Sequence, residues 1–142
     1  VPDDPSLVAL HMARARGVDV RILIPNEADH WAVYLAGFYY AHELTDAKIQ
    51  VYRYTDGFLH QKCMLVDDEL ALIGSTNLDN RSLYLNFELM LAVSDATFVQ
   101  QVETMLEEDF SNAMLSNSAE APQRWWFERA GTAIARLLSP ML

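Results

Sequence analysis

The chain has 142 residues, 51% of them hydrophobic, with one cysteine and a formal charge of −10 at neutral pH. That length fits a single domain with a buried core, and a lone cysteine excludes an internal disulfide. An acidic balance with only two lysines, Lys48 and Lys62, argues against a nucleic-acid partner, whose phosphates call for a basic surface.

Asp4 reads as an N-cap with Pro5 at the first helical position, so a helix is expected through Leu7, Leu10 and Met12 to Arg16, stopped by Gly17. Val18 to Ile24 follows as a strand with Val20, Ile22 and Ile24 on one face, closed by Pro25. A polar turn over 26–30 launches a second helix, about Trp31 to Thr45, whose Trp31, Tyr34, Phe38, Tyr39 and Tyr40 suit a helix-on-sheet core. Trp31 to Ala41 is the longest nearly apolar run, well short of the ~18 residues of a spanning helix. The chain opens on Val and reads as a soluble piece of a longer protein.

Lys48 to Tyr54 is the next expected strand, and Thr55-Asp56-Gly57 turns the chain into another, Phe58 to Val66. Asp67-Asp68 makes a hairpin turn into Leu70 to Ile73. Leu78 to Leu85 reads as a loop carrying Asp79, Asn80, Arg81 and Ser82, and Phe87 to Val93 as the last strand, with Asn86 and Glu88 on one face. Asp95 caps a long helix through Phe98, Val102, Met105, Leu106 and Phe110, with Glu103, Glu107, Glu108 and Asp109 on a solvated face. Residues 116–122 form a polar linker, and Gln123 to Leu138 a final helix ended by Ser139-Pro140. The alternation of helices and strands predicts a layered α/β domain, a mixed β-sheet flanked by helices.

Two stretches carry chemistry. In an extended His60-Gln61-Lys62-Cys63-Met64-Leu65-Val66-Asp67, His60 and Lys62 project from one side while Cys63 and Leu65 face the other. An imidazole beside an ammonium suits attack on, or protonation of, an anionic group. The turn Gly74-Ser75-Thr76-Asn77 can aim small donors into the same space, with Ser75 and Asn77 hydrogen-bonding a phosphate. A catalytic imidazole needs its ring held by a carboxylate, and Glu88, among the apolar Phe87, Leu89 and Leu91, is the candidate. Asp67 reads as a brace of the hairpin through backbone hydrogen bonds. These roles require neither metal nor cofactor, and the adjacent Asp67 and Asp68 would point apart. His11, His30 and His42 read as packing or surface residues.

The pattern His60-x-Lys62-x4-Asp67, followed by Gly74-Ser75-x-Asn77, resembles the phospholipase D superfamily, whose members cleave or exchange phosphodiesters through a phosphohistidine. Within it the chain is similar to bacterial cardiolipin synthases. The likeness is carried by Gly17-Val18-Asp19-Val20-Arg21 with Pro25 and Asp29-His30, by Gly74 to Ser82, by Leu85-Asn86-Phe87-Glu88, and by the terminal Arg136 to Leu142.

The resemblance implies a phospholipase D-like half-domain over 1–142, the second, C-terminal half of a two-motif enzyme. His60, Lys62, Asp67 and Glu88 would be catalytic, and Ser75 and Asn77 would hold the phosphate. The implied substrate is an anionic phospholipid and the parent's setting the bacterial cytoplasmic membrane. The partner motif would come from the N-terminal half or from a homodimer. Phosphatidyl transfer is the expected reaction. Hydrolysis of phospholipid head groups, a nuclease made of two paired chains, and a non-catalytic binding domain are the alternatives. Peripheral membrane contact is expected through Trp125 with Arg124, Arg129 and Arg136, the apolar face of the last helix being kept for the core.

Overall fold

A computed structural model of the chain describes residues 2–26 and 40–116. Helix α1 (Asp4–Ala15) is capped by Asp3 rather than Asp4: its carboxylate accepts from the Ser6 N–H at 3.0 Å, placing Pro5 in the first turn. The free N–H groups of a helix start take whichever side-chain oxygen reaches the third residue, and here that oxygen is one position earlier. Arg16 closes the helix, and Gly17 at φ 91° leads the chain away, as expected.

Strands β1 (Arg21–Pro25) and β2 (Gln50–Tyr54) pair in parallel, from Arg21 opposite Gln50 to Pro25 opposite Tyr54. Helical residues 40–46 (α2), the described end of the helix expected from Trp31, lead into β2. Tyr40, Ala41 and Leu44 are buried with Leu7, Ile49 and Val51; the strand expected from Val18 begins at Arg21, and Val20 just before it packs on this core with Ile22 and Ile24. Tyr40 is thus the core aromatic that its helix predicts. A strand the sequence did not announce, β6 (Ala113–Leu115), adds antiparallel to β2 and completes the sheet β1-β2-β6.

The second sheet is antiparallel, in the order β3 (Cys63–Val66), β4 (Leu70–Gly74), β5 (Met90–Val93). The strand expected from Phe58 therefore begins only at Cys63. Its last rung is the Gly74 N–H donating to the Lys62 carbonyl at 3.1 Å; β4 ends there, so residues 58–61 have no strand to pair with. The strand expected from Phe87 starts at Met90 for the same reason. The hairpin turn holds three residues, Asp67 to Glu69, because Val66 faces Leu70, and Asp67 takes a positive φ of 44°. The expected loop over 78–85 contains a short helix, α3 (Asn80–Tyr84), started by Asp79, which accepts from the Ser82 N–H at 2.7 Å.

Helix α4 (Ala96–Ser111) is capped by Asp95 as expected. Its apolar face buries Val99 and Val102 against Ala71, with Leu65, Phe98 and Leu106 around them. Near its end, Phe110 meets Tyr52 of β2 edge to face, with centroids 4.9 Å apart. One helix thus spans both sheets, and the layered α/β expectation takes the form of two three-stranded sheets joined by α4. The rest of the turn at 27–30, the start of the second helix, the remainder of the linker, the helix expected over 123–138 and its Trp125–arginine surface lie outside the described residues.

Candidate functional site

The site forms where the entry to β3 meets the exit of β4. Alternation holds along β3: Cys63 and Leu65 are half-buried toward α4, and Met64 and Val66 are exposed. Lys62, half-buried, precedes β3 in alternation with Met64, its Nζ donating to the His60 carbonyl at 2.7 Å. His60 is exposed, its ring stacked on Phe58 with centroids 5.7 Å apart.

Ser75 ties the exit of β4 to the approach of β5. Its N–H donates to the Leu89 carbonyl at 3.0 Å and its Oγ accepts from the Leu89 N–H at 3.1 Å. The same hydroxyl donates to Glu88 Oε2 at 2.5 Å. Gly74 permits this close approach, since a Cβ there would run into the Leu89 carbonyl oxygen and lie 2.9 Å from Met90 Cα.

Glu88 Oε1 accepts from Asn86 Nδ2 at 3.1 Å and from Ser82 Oγ at 3.3 Å. Ser82 is only 4% exposed and is itself held by Asp79 at the start of α3. Donors favour a charged carboxylate, so Ser75 first, then Asn86 and Ser82, with the Lys62 charge adding, hold Glu88 below the ordinary glutamate range.

Lys62, Ser75 and Glu88 are therefore brought together, with Ser82 and Asn86 as supports; the sequence puts Asn86 on the face of Glu88 and Ser82 in the loop over 78–85 but gives neither a role. The Asp79-x-x-Ser82 spacing of a capped helix start was the available signal for Ser82, and the face shared with Glu88 that for Asn86. Glu88 does not hold His60 within this chain: among the described residues no hydrogen bond joins them, and its oxygens are taken by Ser75, Ser82 and Asn86. Asn77 is exposed, with no described bond to the cluster. Asp67 sits on the hairpin turn at the far end of β3, five positions from Lys62, roughly 16 Å along an extended chain.

Among the described residues, no group of three or more His, Cys, Asp or Glu side chains could hold a metal ion. A cleft of about 440 Å³ lined by His11, His42, Glu43, Asp46 and Ala47 contains none of the motif residues. The motif cluster itself offers an ammonium, a hydroxyl and an ionised carboxylate at an open surface, with His60 two positions before the lysine and its carbonyl bonded to the ammonium. That set can bind an oxyanion and exchange a proton with it.

Residues 1–110 match the family model described as cardiolipin synthase, PLD-like domain. Cardiolipin synthase A of Pseudomonas syringae pv. syringae (strain B728a) is 48% identical over all 142 residues, and that of Pseudomonas putida (strain W619) 49%. The chain spans 30% of the length of each. The fold is similar to the crystal structure of Nuc from Salmonella typhimurium, a phospholipase D family member. The TM-score is 0.72 at 18% identity, over 82% of this chain and 76% of that one. No helix of the described residues is long and apolar enough to cross a membrane. The chain belongs to the PLD-like domain family of cardiolipin synthases.

Proposed function

We propose that the chain is one catalytic half, the C-terminal one, of a phosphatidyltransferase of cardiolipin-synthase type at the bacterial cytoplasmic membrane. The observation that carries this reading is 47–49% identity to cardiolipin synthase A proteins across every residue of the chain. In the proposed reaction a histidine attacks the phosphorus of phosphatidylglycerol and glycerol leaves, taking a proton from a general acid. The primary hydroxyl of a second phosphatidylglycerol then gives its proton to a base and displaces the histidine, forming cardiolipin.

In this scheme the histidine of the companion motif is the nucleophile, and His60 protonates the leaving glycerol and later activates the acceptor. Lys62 neutralises a non-bridging oxygen. Ser75 and Asn77 supply hydrogen bonds to the same phosphate, Ser75 by turning its hydroxyl from Glu88. Glu88 serves as the fixed carboxylate that keeps a neighbouring imidazole oriented. Asp67 braces the β3–β4 hairpin.

The companion motif is proposed to lie on the rest of the protein or on a second copy. An exposed ribbon supports this: Leu85, Leu89 and Leu91 are 74%, 67% and 53% exposed and Phe87 is fully so, at alternate positions beside the site. A strip of that kind belongs under another surface.

The test is phosphatidylglycerol turnover by the full-length protein carrying this chain, with lipid products separated. Cardiolipin with equimolar glycerol supports the reading. Phosphatidic acid formed instead points to hydrolysis, and no lipid product at all defeats it.

A further inference from the structure

Residues 56–61, which deliver His60 to the site, make no backbone–backbone hydrogen bond among the described residues; the His60 carbonyl accepts from the neighbouring Lys62 Nζ, and the ladder begins only at the Lys62 carbonyl. Yet a general acid and an ammonium acting on one phosphate must be held within a fraction of an ångström. One side-chain bond reaches into this segment from a rigid element. Gln61 Nε2 donates to Asp109 Oδ2 at 2.6 Å, across 48 residues of sequence. A carboxylate can only accept, so the amide nitrogen must face it.

Asp109 stands in the last turn of α4, a helix anchored by Val99 and Val102 in the core and by the Phe110–Tyr52 ring contact. Its charge also reaches Cys63, whose thiol burial and then this carboxylate push up. The acid that the sequence assigns to a solvated helix face is therefore in contact with the motif. In an extended segment Gln61 points opposite to its two neighbours, so drawing it toward α4 turns His60 and Lys62 to the open side.

We propose that Gln61 and Asp109 are positioning residues, their hydrogen bond pinning the His60–Lys62 segment, which precedes the β3–β4 ladder, to α4. This rests on the reading that His60 and Lys62 act on a phosphodiester.

The test exchanges the partners. Gln61→Glu sets two carboxylates against each other, and adding Asp109→Gln restores one donor and one acceptor with the roles reversed. The first readout is the ¹⁵N order parameters of residues 58–62 in the 142-residue chain. They should fall in the single variant and recover in the double one, with Tm nearly unchanged because Gln61 is exposed. The second is phosphatidylglycerol turnover by the full-length protein. There kcat should fall about 10–100-fold with KM little changed, and return in the double variant. Unchanged order parameters in Gln61→Glu, or a kcat loss that the exchange does not repair, would overturn the proposal. A wild-type protein without lipid turnover defeats the functional reading instead, and the order parameters still decide the pinning.

Discussion

His60 is exposed and Lys62 half-buried, and neither belongs to a buried apolar cluster, so their removal separates chemistry from folding. Lys62→Ala should lower lipid turnover by ~10²–10³, the usual cost of losing one electrostatic donor, and His60→Ala at least as much. Tm should stay within a degree or two of wild type in both. Turnover at the wild-type rate in either variant would remove the motif from the reaction. Glu88 makes a pH argument with a definite sign. Its donors favour the ionised form, so its folded pKa is depressed. Whatever the charged carboxylate contributes is fully present above the ordinary glutamate range and is lost only as pH falls through the depressed folded value. Ser75→Ala removes the largest of those donors. The Glu88 carboxyl should then titrate at higher pH, read by ¹³C NMR of the side chain, and the acid limb of kcat/KM should move the same way. A shift to lower pH, or none, would mean that Ser75 does not set the charge of Glu88.

Single elements carry the next tests. Gly74 is the last residue of β4 and has no room for a side chain against the Leu89 backbone. Gly74→Ala should therefore separate β4 from the approach to β5, loosening Ser75 from Glu88 and lowering both Tm and activity. An alanine variant with wild-type Tm and turnover would mean that the two backbones part without cost. At the other end, Asp3 caps α1 and also accepts from Tyr84 Oη, linking the helix to the end of α3 beside the site. Asp3→Ala should cost about 1 kcal/mol for the cap, or about 4 °C in Tm. Tyr84→Phe should retain the cap and lose less. Elements that carry their own signals were legible in the sequence: α4 from its Asp95 cap and apolar period, α1 from its acid-proline start and Gly17, the hairpin from its acidic turn. The lengths of β3 and β5 were not legible. They are fixed by where β4 ends, and that is a property of the sheet rather than of either strand. The three residues of β6 have no periodicity to read. At the site, Lys62, Ser75 and Glu88 were recoverable from alternation and spacing. The Gln61–Asp109 contact was not, because it joins residues 48 positions apart.

At the scale of the whole molecule, phosphodiester exchange needs one group to attack phosphorus and another, on the opposite side, to protonate the departing oxygen. One imidazole cannot occupy both sides of the same phosphorus. Among the described histidines, His60 alone lies two positions from a lysine, its carbonyl accepting from Lys62 Nζ; His11 and His42 lie on α1 and α2, and His42 is paired with Asp46 at 3.1 Å. The chain by itself should therefore show no lipid turnover unless two copies meet. The exposed ribbon from Leu85 to Leu91 provides the surface for such a meeting, while a charge of −10 on each copy opposes it. Pairing should accordingly tighten as salt rises and screens the repulsion, over the range in which the Debye length falls from ~30 Å to ~8 Å. It should weaken when Phe87→Glu and Leu89→Glu are introduced together. Light scattering of the 142-residue chain across that salt range, with phosphatidylglycerol turnover followed in parallel, tests both parts. A monomer with full turnover would overturn the two-sided argument. A dimer without turnover would show that the ribbon pairs the copies while the two halves of the natural site are not interchangeable.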